Sequence, residues 1–161
     1  MTASTVGIVP VIKELAESDL EIKLALSLVT ADEKQRTGLV PMDKKYPLSE
    51  IIKAARYYCA TAAKPVFFEY ILFDGLNDSP GDAEKLLNLI KGINCKVNLI
   101  RYNMPAKAAF AGRLEKAKEF QKIIMAAGIR TYLRKEKGSD ISAACGQLAG
   151  KHNPKIAAAT V

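Results

Sequence analysis

Pro65-Val66-Phe67-Phe68-Glu69-Tyr70-Ile71-Leu72-Phe73-Asp74-Gly75-Leu76-Asn77-Asp78-Ser79-Pro80-Gly81-Asp82 is the stretch that decides the fold. Pro65 to Leu72 is rich in aromatic and β-branched side chains and predicts a strand. Asp74 to Asp78 carries the Gly, Asn and Asp residues of a turn. Ser79 then offers its hydroxyl as a helix N-cap. Pro80 takes the first helical position, and Asp82 puts a negative charge in the first turn. Cys95 to Arg101 is a second β-rich run beyond that helix. Strands separated by a helix imply a parallel pair with the helix packed on the sheet.

The same alternation continues in both directions. Ile22 to Val29 alternates at period two and predicts a strand. Leu48, Ile51, Ile52, Ala55, Cys59 and Ala62 recur at helical spacing, which predicts an amphipathic helix over 48–62 with Cys59 on its buried face. Leu114, Ala117, Phe120, Ile124 and Ala127 mark a helix that stops at Gly128, and Ile129 to Leu133 supplies a last strand. No linker, low-complexity tract or strong repeat divides the chain, so the expectation is one α/β domain over residues 1–161.

Composition narrows the class. With 161 residues, 49% hydrophobic and 25% charged, the sequence reads as an ordinary globular domain able to bury a sizeable core. No apolar run approaches the roughly eighteen residues of a membrane span. The start Met1-Thr2-Ala3-Ser4 has no basic segment followed by an apolar stretch, so no secretory signal is expected. Three cysteines, Cys59, Cys95 and Cys145, leave an odd count and no close pair, which suits free thiols in a reducing cytoplasm. The net charge of +7 is uneven: residues 1–100 carry 12 Lys/Arg against 13 Asp/Glu, and residues 101–161 carry 12 against 4. A basic excess at one end is either a solvated face or the footprint of a polyanion. Because it surrounds Cys145, RNA is the expected partner.

Gly138-Ser139-Asp140-Ile141-Ser142-Ala143-Ala144-Cys145-Gly146-Gln147-Leu148-Ala149-Gly150 is the stretch that bears on chemistry. Small neighbours leave the Cys145 thiol sterically open, and Arg130 to Lys137 brings positive charge; both favour a thiolate. The plain alternative is a cysteine filling space in a tight turn.

The string closely resembles the C-terminal Gly-Asp-Asp-Ile-Asp-Ala-Ala-Cys-Gly-Gln-Leu signature of the radical S-adenosylmethionine (SAM) RNA adenine methyltransferases, which methylate C2 or C8 of adenine. Four further segments match in order. Ser4-Thr5-Val6-Gly7-Ile8-Val9-Pro10 is similar to the family's Ser-Thr-x-Gly-x-x-Pro. Leu26-Ser27-Leu28 falls where the family has Ser-Leu-His. Phe68 to Ser79 is similar to its Glu-Tyr…Asp-Gly-Val-Asn-Asp-Ser strand and turn. Cys95 to Asn103 matches Cys-Lys-Val-Asn-Leu-Ile-x-x-Asn.

The resemblance implies the second half of a partial (β/α)6 barrel with a C-terminal extension, the cysteine loop lying at about 138–150. It implies methylation of an adenine ring carbon in 23S rRNA, with tRNA as a further substrate, and Cys145 as the residue that carries the methyl group. Cofactor contacts carry over to Ser4, Ser27, Leu28, Val29 and Asn103. On local sequence alone, Ser4 reads equally well as part of a helix N-cap region and Asn103 as a turn residue. Val29 stands where the family has histidine, so its contact would run through the backbone. Met104 replaces a proline, and Ser139 and Ser142 replace aspartates. The family's Cys-x-x-x-Cys-x-x-Cys motif for a [4Fe-4S] cluster, its Gly-Met-Gly-Glu segment, its catalytic glutamate and its resolving cysteine belong to an N-terminal half that these residues do not include. The expectation is therefore a C-terminal portion that is inactive alone and partnered by its own N-terminal half. A non-catalytic basic RNA-binding module that keeps the half-barrel is the alternative. Ile100-Arg101-Tyr102-Asn103 leans toward the C8 branch, which is too short a segment to decide specificity.

Overall fold

The computed structural model describes residues 1–102 and 111–134, which form one compact unit. Five strands, β1 (Thr2–Thr5), β2 (Lys23–Val29), β3 (Val66–Leu72), β4 (Cys95–Arg101) and β5 (Thr131–Leu133), form a sheet in sequential order. Every neighbouring pair is parallel. Between them run α1 (Val9–Glu17), α2 (Glu33–Leu39), a 3-10 turn (Pro41–Lys44), α3 (Leu48–Ala62), α4 (Pro80–Ile90) and α5 (Ala111–Ala126). Sequential parallel order with helical crossovers is the topology of a barrel that has not closed.

The opening stretch folds as its residues dictate. Ser79 Oγ accepts the Asp82 amide at 3.2 Å, and an Asp82 carboxylate oxygen accepts the Ser79 amide at 3.2 Å, closing a capping box. The ends of α3 and of β4 fall where the sequence placed them. The strand over Ile22 to Val29 starts at Lys23 and departs from alternation, because Ala25 is buried beside its taller register partner Phe67. The last strand is shorter than Ile129 to Leu133, and the helix before it begins at Ala111 and ends at Ala126. Gly128 takes φ +82°, the left-handed conformation that ends such a helix. Cys59 and Ala62 are half-buried at the margin of the α3 stripe, and Tyr58 is buried in its centre, its hydroxyl donating to the Ile22 carbonyl at 2.8 Å.

Helices α1, α3, α4 and α5 bury one face of the sheet. Leu24, Leu26, Leu28, Val66, Phe68, Tyr70, Val97 and Leu99 meet Ile12, Ile51, Leu86 and Phe120 in a single apolar core. The Tyr70 and Phe120 rings lie 5.2 Å apart and tie α5 to the middle of the sheet.

Candidate functional site

Strand side chains alternate between faces, so a polar set is sent to the side that no described helix covers. Register places Ser27, Glu69, Asn98 and Tyr132 in one row across β2 to β5, with Ser4 beside Ala25 on β1. Ser4 is exposed, while Ser27, Glu69 and Asn98 are half-buried. The Ser27 hydroxyl donates to Glu69 Oε2 at 3.1 Å. Thr2, Ser4, Phe67, Glu69, Asn98 and Tyr132 line an open depression of about 290 Å³ whose floor includes Ala25. Lys96, the register partner of Phe67, has its ammonium 5.1 Å from the centre of that ring.

The C-terminal ends of β1, β2 and β3 are fastened by two buried polar side chains. Arg36 is fully buried: Nε donates to the Leu28 carbonyl at 2.9 Å and Nη2 to the Val6 carbonyl at 2.7 Å, while Nη1 pairs with Asp43. Thr37 Oγ1 donates to the second Asp43 oxygen at 2.6 Å, so the buried carboxylate is held on both sides. Asn77, also fully buried, donates through Nδ2 to the Ile71 carbonyl at 2.8 Å and the Val29 carbonyl at 3.3 Å, and accepts the Phe73 amide at 2.8 Å. Between these two anchors β2 bulges at Leu28, and Val29 adopts φ +70°. A β-branched residue in that region is strained, and it persists because both flanking carbonyls are held. Gly7, just past β1, has φ +114° and lies against Ile51 so closely that a Cβ would collide with it.

The residues singled out from sequence thus fall in different places. Ser4 and Ser27 share the open face. The Leu28 side chain is buried in the core, leaving only its backbone for a ligand, and its carbonyl is already held by Arg36. The Val29 carbonyl is held by Asn77. Cys145 with the loop at 138–150, Asn103, Lys135 and Lys137, and the Arg113 side chain lie outside the described residues. Of the basic residues, Arg130 and Arg134 are exposed and Arg101 is half-buried. Burial pushes the Cys95 thiol up to about 11 and raises Cys59 as well, whose Sγ donates to the Asn94 carbonyl at 3.3 Å. Both thiols are therefore protonated near neutral pH.

Four residues of the site carried no role in the sequence reading. Glu69 and Asn98 could have been found as polar residues alternating with apolar ones inside β-rich runs. Arg36 gave no signal, since a charged residue in a short helix ordinarily faces water. Asn77 looked like one more turn residue.

The chain matches the crystal structure of a radical SAM methyltransferase from Sphaerobacter thermophilus with a TM-score of 0.82 and 42% identity, covering 91% of this chain and 43% of that one. A domain of a pyruvate-formate lyase-activating enzyme from Bacteroides vulgatus, 15% identical, shares the fold with a TM-score of 0.63, covering 83% of this chain and 80% of that domain. More particularly, the sequence is 44% identical over 94% of its length to a probable dual-specificity RNA methyltransferase RlmN of Caldanaerobacter subterraneus subsp. tengcongensis, of which it covers 45%. It is 41% identical over 96% of its length to the RlmN of Anaeromyxobacter dehalogenans, of which it covers 41%. No family model matches the sequence. The chain is similar over nearly its whole length to radical SAM RNA methyltransferases, as its sequence resemblance implied, and spans about half the length of the curated relatives it matches.

Proposed function

We propose that this chain is the portion of a radical SAM RNA methyltransferase that holds the methyl-carrying cysteine, Cys145, and one wall of the SAM site. The observation that carries the reading is the row of Ser27, Glu69 and Asn98 with Ser4, on the uncovered face of a sheet of this class. Two hydroxyls, a carboxylate and an amide beside the Phe67 ring suit a ligand with a hydroxyl- and ammonium-bearing part and a flat apolar part. SAM held there supplies a methyl group activated on a sulfonium. Ser4 and Ser27 contact it through their side chains, Leu28 and Val29 through their backbone, and Asn103 and Cys145 by their place in the family motifs.

The [4Fe-4S] cluster of the family does not fit the described residues. Among them no group of three His, Cys, Asp or Glu side chains could hold a metal, and the Cys59 and Cys95 thiols are protonated. Its ligands are assigned to the half of the enzyme that the chain does not span, and the chain alone is expected to be inactive. Among the described residues no helix is long and apolar enough to cross a membrane. RNA is the proposed partner, 23S rRNA first and tRNA second, held by the basic excess that includes Arg130 and Arg134.

The test is to co-express the chain with the preceding half of an RlmN relative and analyse nucleosides from 23S rRNA by mass spectrometry. Methyladenosine is expected with both halves present, and none with this chain alone or with Cys145→Ala. The position of the methyl group, C2 or C8, is read from the same spectrum. Methylation that survives Cys145→Ala would overturn the assignment.

A further inference from the structure

Three apolar side chains stand exposed around the buried clamp at the ends of β1 and β2: Val6 at 39%, Leu39 at 41% and Met42 at 38%. The Arg36–Asp43 pair ties their backbones together. Arg36 Nη2 holds the Val6 carbonyl at 2.7 Å, the Arg36 carbonyl accepts the Val40 amide at 2.8 Å just after Leu39, and Met42 adjoins Asp43. The Lys45 and Tyr46 amides both donate to the Met42 carbonyl and close the 3-10 turn. Exposed apolar side chains on so fixed a backbone mark a contact surface. Charge tells of what kind. Over residues 37–47 the one carboxylate is Asp43, which is buried on Arg36, while Lys44 and Lys45 are exposed and α2 adds exposed Lys34. The even charge count of residues 1–100 hides this, because it includes the buried Asp43. Lysine is depleted in protein–protein interfaces, whereas apolar contact edged by cations fits nucleobases and their phosphates.

We infer that residues 39–45, with Val6, form an RNA contact that takes an unpaired nucleotide, its base against the apolar side chains and its phosphates on Lys44 and Lys45. This rests on the RNA-partner reading and deepens it by naming a surface and a form of RNA. A duplex keeps its bases stacked inside and presents phosphates, riboses and shape, so apolar side chains gain little from it. An unstacked base in a loop or bulge presents its flat face. The surface also lies across the sheet from Arg134, since α2 follows β2 and Arg134 follows β5 at one edge. Both stand at C-terminal strand ends, where parallel α/β sheets bind their ligands. Three strand spacings separate those ends, roughly 15 Å. One RNA segment reaches both.

The experiment is fluorescence anisotropy of the full chain with two labelled RNAs of equal length, a hairpin with an unpaired, adenine-containing loop and a fully paired duplex, across a salt series. Two double variants are compared with wild type, Leu39→Ser with Met42→Ser and Lys44→Glu with Lys45→Glu. All four side chains are exposed, and thermal melting confirms that the variants fold. The apolar variant is expected to bind the hairpin about fivefold or more weakly and the duplex as wild type does. The charge-reversed variant is expected to weaken both RNAs and to lower the salt slope by about two phosphate contacts. Hairpin affinity unchanged in both variants, or equal losses on hairpin and duplex in the apolar one, would overturn the inference. Arg134→Glu still weakening binding in that case would leave the RNA-partner reading standing. An apolar variant that keeps its hairpin affinity but no longer co-purifies with the preceding half of an RlmN relative would make this a protein interface and overturn the inference. Absence of wild-type binding to either RNA would overturn the RNA-partner reading and the inference together.

Discussion

The two faces of the sheet come from the same strands and could hardly differ more. On the helix side Val66, Phe68, Tyr70, Val97 and Leu99 are each 0% exposed and packed against four helices. On the other side the same two strands present Phe67, Glu69, Lys96 and Asn98, all half-buried, and β5 adds Tyr132 at 47% exposure. A sheet buried on one face by apolar contact gets its stability there. Its second face is free to carry polar groups such as the Ser27–Glu69 pair. Stability and recognition are separated here by one residue step along a strand.

Substitutions on alternate positions should expose that division. Phe68→Ala removes a fully buried ring from the core and is expected to cost about 4 kcal/mol. Ser27→Ala, on the open face, is expected to cost about 1 kcal/mol or less, because only one half-buried hydrogen bond is lost. Urea denaturation of both variants checks the contrast, and comparable losses would break it.

The anchors at the strand ends sit between the two faces. Asp43→Ala leaves the Arg36 guanidinium fully buried without its carboxylate and is expected to cost about 3 kcal/mol. Because Arg36 also holds the Val6 and Leu28 carbonyls, hydrogen exchange should rise at the ends of β1 and β2 before it rises in β4. Uniform exchange across the sheet would show that the pair stabilises without locating those ends.

Thiol chemistry sharpens the comparison from the closed side. With burial holding Cys95 at about 11, about one Cys95 thiol in a thousand is ionised at pH 8, and Cys59 is shifted in the same direction. The sign is that of a raised acid: reactivity is absent at neutral pH and appears only as pH rises toward the shifted value. Brief iodoacetamide treatment of the native chain at pH 8 should therefore label Cys145 ahead of Cys59 and Cys95. The smallest effect expected is that of the exposed Arg134. Arg134→Glu should weaken RNA binding and reduce the salt slope by about one phosphate contact, as filter binding across a salt series would show.

Much of this architecture was legible in the sequence, for identifiable reasons. The unit from Pro65 to Arg101 carries a strand, turn chemistry and a helix N-cap whose signals agree, and the structure reproduces them. Helix α3 declared itself by its stripe. Helices α1 and α2 did not: α1 has nine residues and α2 seven, with few apolar positions to set a period. Strand β1 left no local pattern either, because its four residues, Thr2 to Thr5, have no alternation of large and small apolar side chains. At the site, Ser4 and Ser27 were reachable through family motifs. The Ser27–Glu69 bond depends on register between β2 and β3, and the Arg36 clamp joins residues 6, 28 and 43, which no local pattern connects.

On the proposed function, Cys145 and no other thiol of the chain carries the methyl group. Peptide mass mapping of the chain co-expressed with the preceding half of an RlmN relative tests it most directly. The expected result is one added methyl group on the Cys145 peptide, with the Cys59 and Cys95 peptides unmodified. A methyl group on Cys59 or Cys95, or an unmodified Cys145 in a preparation that methylates RNA, would contradict it.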